Sequence, residues 1–291
     1  MTPAMPIPTI LDRHVVIDGE RIAYAQRGDG PPVVLIHGTP SHSYIWRNVM
    51  PNIVEAEYRV YAFDLLGFGC SEKPAHERDT SVAAQAELLG QLFEAWGLEN
   101  AHVVGHDLGG AIGLIFSINH PERVLSLTLA DTVSYDSWPS ETWQRIIRDH
   151  LDEYHAMPLE DFRAMMTRQL RMTVFHKDRM SGETLEAYLA PLATQFGKVA
   201  FFAHQVRHYD SRYTEAIVDH QKRLAMPVRI IWGVADEWQP LAYGERLRDD
   251  IATASLVTIP EAGHFVMEDA PERVSQEVLG FLSDVDGAAE H

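Results

Sequence analysis

Residues 103–110 read Val103-Val104-Gly105-His106-Asp107-Leu108-Gly109-Gly110, and their form decides how the rest of the chain is read. An apolar run, Ala101 to His106, ends in the order small residue, any residue, polar residue, any residue, small residue. Apolar side chains then continue at helical spacing from Gly109 to Asn119. Between a strand and a helix this pattern makes a sharp turn whose central residue is strained, with small neighbours that let the two arms approach. The turn lifts residue 107 off the carboxyl end of the strand. It sits at a helix N-terminus, where free N–H groups favour negative charge. Serine is the usual occupant; here it is Asp107.

That difference changes the chemistry expected. A carboxylate is ionised at neutral pH and needs no base to become a nucleophile. It can displace a leaving group at saturated carbon and form an ester. Attack on an acyl carbon would give an anhydride, a poorer intermediate. The expectation moves from ester cleavage towards epoxide opening or halide displacement. A Gly-His-Asp loop can also be no more than a helix cap, so the surrounding chain must decide.

Working outward, the first half alternates strand and helix signals. Residues 14–18 and 21–25 read as a hairpin, and 31–38, 58–64, 101–106 and 124–131 as short apolar strands. Helical periodicity over 80–97 comes from Val82, Ala86, Leu89, Leu92, Phe93 and Trp96. Such alternation predicts an α/β protein with a mostly parallel central sheet covered on both faces by helices. Residues 133–222 lack a strand signal and are rich in helical periodicity, Met, His and aromatics. Strands return at 227–232 and 255–259, with helices near 241–250 and 271–283. The reading is a core of residues 1–132 and 223–291 split by a helical cap, 133–222, with a frayed tail at 286–291.

Two further segments carry chemistry in the order such a core requires. Glu261-Ala262-Gly263-His264-Phe265 follows the last strand, so His264 is the expected base that activates water. Trp232-Gly233-Val234-Ala235-Asp236 follows the strand before it, which makes Asp236 the acid that orients His264. Asp131, at the end of strand 124–130, is the rival for that role. His37-Gly38-Thr39-Pro40 follows the strand 32–36. Its Thr39 N–H and the Leu108 N–H are the expected oxyanion-hole donors.

Composition bounds the partners. The chain has 291 residues, 46% hydrophobic and 23% charged, ordinary for one large globular unit with an insertion. A net charge of -18 repels phosphate backbones and anionic membranes, so nucleic acid and membrane partners are not expected. No apolar run approaches the roughly 20 residues of a membrane span. With Cys70 alone, no intrachain disulfide can form, and a cytoplasmic location is expected. No cofactor or metal is implied, and nothing signals an oligomeric state.

The motifs HGTPSHSYIWR, DLLGFGCSEKP, VVGHDLGG, WGVADEW and PEAGHFVMEDAPERV together resemble the α/β-hydrolase superfamily over nearly the whole chain. GHDxGG narrows the resemblance to epoxide hydrolases and haloalkane or haloacetate dehalogenases. The resemblance implies an alkyl-enzyme ester at Asp107, hydrolysed by water that His264 and Asp236 activate. Haloalkane dehalogenases usually carry Trp after the nucleophile and often Asn in an HGNP motif; here these are Leu108 and Thr39. Trp138 or Trp143 would have to supply halide donors instead. Haloacetate dehalogenases place Arg where this chain has Leu108 and Ala111. Epoxide hydrolases share HGxP, which His37 to Pro40 satisfies, and use two cap residues, Tyr or His, on the epoxide oxygen. Tyr209 is the first choice, with Tyr154 or His155 as partner, from a pool that includes Tyr135, Tyr188, Tyr213, His176, His204 and His208. Trp46, Trp138, Trp238 and Phe265 are candidates to line a pocket for a small uncharged apolar substrate and water. Epoxide hydrolase is the first reading, haloalkane dehalogenase the second, and an esterase, lactonase or small-molecule receptor the third.

Overall fold

In the computed structural model, which describes residues 7–289, eight strands form one sheet ordered β1-β2-β4-β3-β5-β6-β7-β8. They are β1 (Arg13–Ile17), β2 (Glu20–Arg27), β3 (Pro32–Ile36), β4 (Arg59–Phe63), β5 (Ala101–His106), β6 (Val124–Ala130), β7 (Val228–Gly233) and β8 (Ala254–Ile259). The hairpin β1–β2 is antiparallel, β2 joins β4 antiparallel, and every pairing from β4 through β3, β5, β6 and β7 to β8 is parallel. The carboxyl ends of β3 to β8 therefore share one edge, and β5, buried at every residue, brings Asp107 to the middle of it.

The near-continuous apolar strands follow from burial on both faces. Side chains alternate across the sheet with period two. Val34, Ile36, Val103, Leu127 and Ile230 face the helices Val82–Trp96 and Leu108–Asn119. Val33, Leu35, Val104, Ala130 and Ile231 face the helix Met50–Glu55 and the C-terminal helix Pro271–Ala289. Helix Val82–Trp96 starts where Ser81 Oγ accepts the Ala84 N–H and stops at Gly97, whose φ of 66° suits glycine.

The elements between β6 and β7 are all helical, from Glu141–Arg145 to Val218–Gln221. Helix Leu159–Met172 buries Phe162, Met166 and Leu170, spaced by four residues. Phe162 meets Phe201 and Phe202, each with ring centroids 5.6 Å away. Single π-helical turns occur at Ile146–His150 and Phe201–Gln205.

The tail differs from the sequence expectation. The last helix does not stop near residue 283 but continues to Ala289. Asp286 ties it to the sheet: its carboxylate accepts the Tyr58 O–H at 2.8 Å and faces His102 Nε2 at 3.1 Å. Glu290 and His291 lie outside the described residues. Among the described residues no helix is long and apolar enough to cross a membrane.

Candidate active site

Asp107 has φ 54° and ψ -117°, a backbone strained for any residue with a Cβ. The tight turn explains its neighbours: a Cβ on Gly105 would sit 2.3 Å from the Gly109 carbonyl oxygen. Gly38 is needed for the opposite wall, since a Cβ there would sit 2.2 Å from Asp107 Oδ1. That close approach lets the Thr39 N–H donate to Asp107 Oδ1 at 2.6 Å. Asp107 is 3% exposed.

His37 aims this donor. Leu65 N–H donates to His37 Nε2 at 3.0 Å, so the ring proton is on Nδ1 and donates to the Gly38 carbonyl at 2.8 Å. The Gly38 carbonyl and the Thr39 N–H belong to one peptide plane, so holding the first points the second at Asp107. Burial keeps His37 neutral, pulling its pKa down to about 4 against the opposing pull of Asp64. The sequence reading took the HGTP segment as a source of the N–H; the part His37 plays emerges only from its contacts.

His264 Nδ1–H donates to Asp236 Oδ2 at 2.9 Å, and Nε2 lies 3.5 Å from Asp107 Oδ2 without a hydrogen bond. Asp236 Oδ1 accepts the Trp238 and Gln239 N–H groups at 2.7 and 2.9 Å, which locks the carboxylate in place. Burial alone would depress the His264 pKa. The adjacent Asp236 and Asp107 outweigh it and hold the imidazolium well above the usual histidine range. The neighbouring His106 donates its Nε2–H to the His264 carbonyl at 2.9 Å and is kept neutral by burial, with a pKa of about 3. Asp131 does not contact the imidazole ring by hydrogen bond. Its Oδ1 accepts the Gly233 N–H at 2.8 Å, so it ties the end of β6 to the end of β7.

Above these residues lies a cavity of about 340 Å³. Its floor is Thr39, Asp107 and Leu108; its walls include Trp138, Trp143, Phe201 and Tyr209, with Trp238 beside His264. Tyr209 OH hydrogen-bonds Thr39 Oγ1. Thr39 can donate onward to Gln205 Oε1 at 3.4 Å, in which case the phenol is the donor to Thr39. Burial, with Asp107 nearby, pushes the Tyr209 phenol far up, so it stays protonated.

The other phenols are engaged elsewhere. Tyr135 donates to Asp250, Tyr188 to Glu268, and the Tyr213 oxygen accepts from Arg212. Four candidate placements need correction. Tyr154 and His155 do not reach the cavity; they pack on Phe202, at centroid distances of 6.2 and 5.2 Å. Trp46 is wholly buried in the core against the C-terminal helix layer. Phe265 packs behind the site on Tyr188 and His106. Trp138 does line the cavity, but its indole N–H is spent on Thr214 Oγ1 at 3.0 Å. Gln169, Val133 and Gln239 also line the cavity, and the sequence alone does not single them out. Gln239 alone had a signal, standing three residues after Asp236.

Comparison with known proteins agrees with this architecture. The model of the alpha/beta hydrolase fold family matches residues 31–271. The chain is 30% identical to 2-hydroxymuconate semialdehyde hydrolase of Pseudomonas sp. (strain CF600), covering 96% of each chain. It is 27% identical to haloalkane dehalogenase 2 of Mycobacterium tuberculosis (strain ATCC 25618 / H37Rv), covering 89% of this chain and 90% of that one. It is 25% identical to epoxide hydrolase 1 of Caenorhabditis elegans, covering 95% and 72%. The crystal structure of an alpha/beta hydrolase fold protein from Burkholderia ambifaria superposes with a TM-score of 0.87 at 34% identity, covering 94% of this chain and 98% of that one. A core with the strained Asp107 turn at the centre of its sheet, and a family model spanning most of its length, makes this chain a hydrolase of the α/β-hydrolase fold family.

Proposed function

We propose that the protein hydrolyses epoxides to diols, with Asp107 as nucleophile. The observation that carries the reading is the state of the Asp107 carboxylate. Asp107 lines the cavity floor with Oδ1 held by the Thr39 N–H, while Oδ2, with no N–H of its own, lies 3.5 Å from His264 Nε2. Oδ2 attacks an epoxide carbon, the ring C–O bond breaks, and the phenol of Tyr209 gives its proton to the departing oxygen. His264 Nε2 then takes a proton from water, which attacks Cγ of the ester. The Thr39 and Leu108 N–H groups stabilise the oxyanion on Oδ1. The bond from Cγ to Oδ2 breaks, His264 returns its proton to the diol, and the proton left on the new Asp107 carboxyl passes to His264, which restores the charged pair of the free enzyme.

Electrostatics order the two steps. With Asp107 ionised, His264 is held protonated by two carboxylates. Esterification removes one of those charges, the His264 pKa falls, its proton passes to the Tyr209 phenolate, and the imidazole becomes a base when the ester needs hydrolysing. Epoxide is preferred to halide because the side chains at Leu108 and Thr39 offer no N–H, and the Trp138 indole is already bonded. Tyr209, hydrogen-bonded to the oxyanion-hole residue Thr39, is a protonated phenol, suited to an alkoxide leaving group. A second reading, halide displacement, is favoured by the indoles of Trp143 and Trp238 on the cavity wall.

The test is to assay the wild type and Asp107→Ala with terminal and aryl epoxides and haloalkanes, measuring diol and free halide together. Diol lost in the variant supports the first reading; halide alone would move it to the second. Turnover of esters but neither substrate class would overturn both.

A further inference from the structure

Asp131 is a wholly buried carboxyl beside the acid that orients His264. Its N–H donates to the Ile231 carbonyl at 3.1 Å, and its Oδ1 accepts the Gly233 N–H at 2.8 Å. Its Oδ2 is buried and meets no N–H or O–H donor. An ionised oxygen in that setting would be a desolvated charge with no compensation, which proteins avoid by protonation or pairing. The neighbour is Asp236, whose two oxygens have about four acceptor positions. Three are filled, by the Trp238 and Gln239 N–H groups and by His264 Nδ1–H. One position is left, and Asp131 is tied to the same turn, since Gly233, whose N–H it accepts, takes the Asp236 N–H on its carbonyl at 3.2 Å.

We propose that Asp131 carries a proton and donates it as a hydrogen bond from Oδ2 to the Asp236 carboxylate, so that one proton is shared by a buried carboxyl pair. Asp131 is then a positioning residue. It completes the hydrogen bonding of Asp236, and it lets one negative charge rather than two face His264 from this side. Burial and the Asp236 charge both act in this direction, holding the Asp131 carboxyl well above the usual carboxylate range. The ionisable groups around the imidazole are Asp107, Asp236 and Asp131, with His106 kept neutral by burial. The sequence treats Asp131 and Asp236 as rivals for a single role; their packing gives each a different one.

The first test needs no substrate. The infrared difference spectrum of wild type minus Asp131→Asn at neutral pH is expected to contain the C=O stretch of a protonated carboxylic acid, shifting in D2O. Its absence would overturn the proposal. The second test rests on the hydrolase reading. Asn keeps both contacts, Oδ1 to the Gly233 N–H and Nδ2 to Asp236, so Asp131→Asn should keep its turnover and leave the His264 limb of the pH profile unmoved. Were Asp131 ionised, the same change would remove a negative charge near His264 and move that limb to lower pH, the result that contradicts the proposal. Asp131→Leu removes the donor and should lower kcat about tenfold, the size of one buried hydrogen bond to a charged group. Were Asp131→Leu to misfold, the infrared band and the Asp131→Asn profile would still decide. Failure of the wild type to turn over any epoxide would count against the proposed function, while the infrared result would stand alone.

Discussion

The strand-end loops and the helical segment above them supply the two halves of one cavity, and they do so by different rules. Asp107, Asp236, His264 and Thr39 each follow a strand of a parallel sheet, so chain connectivity alone delivers them to one edge. Tyr209, Trp143 and Phe201 come from short helical pieces whose facing depends on how each packs on the next. On the strand side, a one-residue shift would break a backbone hydrogen bond. On the helical side, a small rotation exchanges a lining residue for a core one. Tyr209 lines the cavity while Tyr154, also aromatic and in the same segment, packs on Phe202.

Replacing Asp107, the proposed nucleophile, should separate the two halves most sharply. Asp107→Ala is expected to lower diol formation by roughly 10⁴-fold or more while the fold is retained, as for other nucleophile removals. Steady-state kinetics alongside thermal unfolding checks both parts. Next in size is an effect on stability. Phe202→Ala should cost about 3–5 kcal/mol, the usual range for a buried phenylalanine, because Phe202 holds Tyr154, His155 and Phe162 together. Denaturant titration measures it, and a loss under about 1 kcal/mol would mean the helical segment is not packed around this residue.

Smaller again is the comparison of phenols. Tyr209→Phe should lower the rate of ring opening by roughly 10²-fold, the low end for a general acid, whereas Tyr154→Phe should leave it within about twofold. Equal effects from both would break the distinction between the two tyrosines. The smallest predicted effect is a titration. In the free enzyme the His264 ring should remain protonated above the usual histidine range. In the ester-bearing enzyme its pKa should be lower by about one unit or more, through loss of the Asp107 charge. Folding linkage has the matching sign: a raised folded pKa contributes stability below the unfolded value, and this is lost as pH rises through the folded one. NMR of the His264 ring in both states gives the shift.

Legibility followed the same division. The doubly buried strands and the small-X-Asp-X-small turn were readable because burial on two faces and a strained φ each demand particular residue types. The order Asp107, Asp236, His264 was readable because it repeats the order of the strands. Trp46 and Phe265 were misjudged as lining because a large aromatic near a motif says nothing about which face it turns to. His37 and Asp131 were readable as positions but not as contacts. What each does depends on a ring tautomer or a shared proton, both set by neighbours distant in the chain.

The most direct test of the central claim is a single turnover in H2¹⁸O with enzyme in excess over an epoxide, followed by mass spectrometry of the peptide containing Asp107. Attack of water on the ester carbon leaves the new oxygen in the Asp107 carboxylate, so the account predicts label in that peptide and an unlabelled first diol. Label in the diol, with none in the peptide, would mean that water attacks the substrate directly and that Asp107 is not the nucleophile.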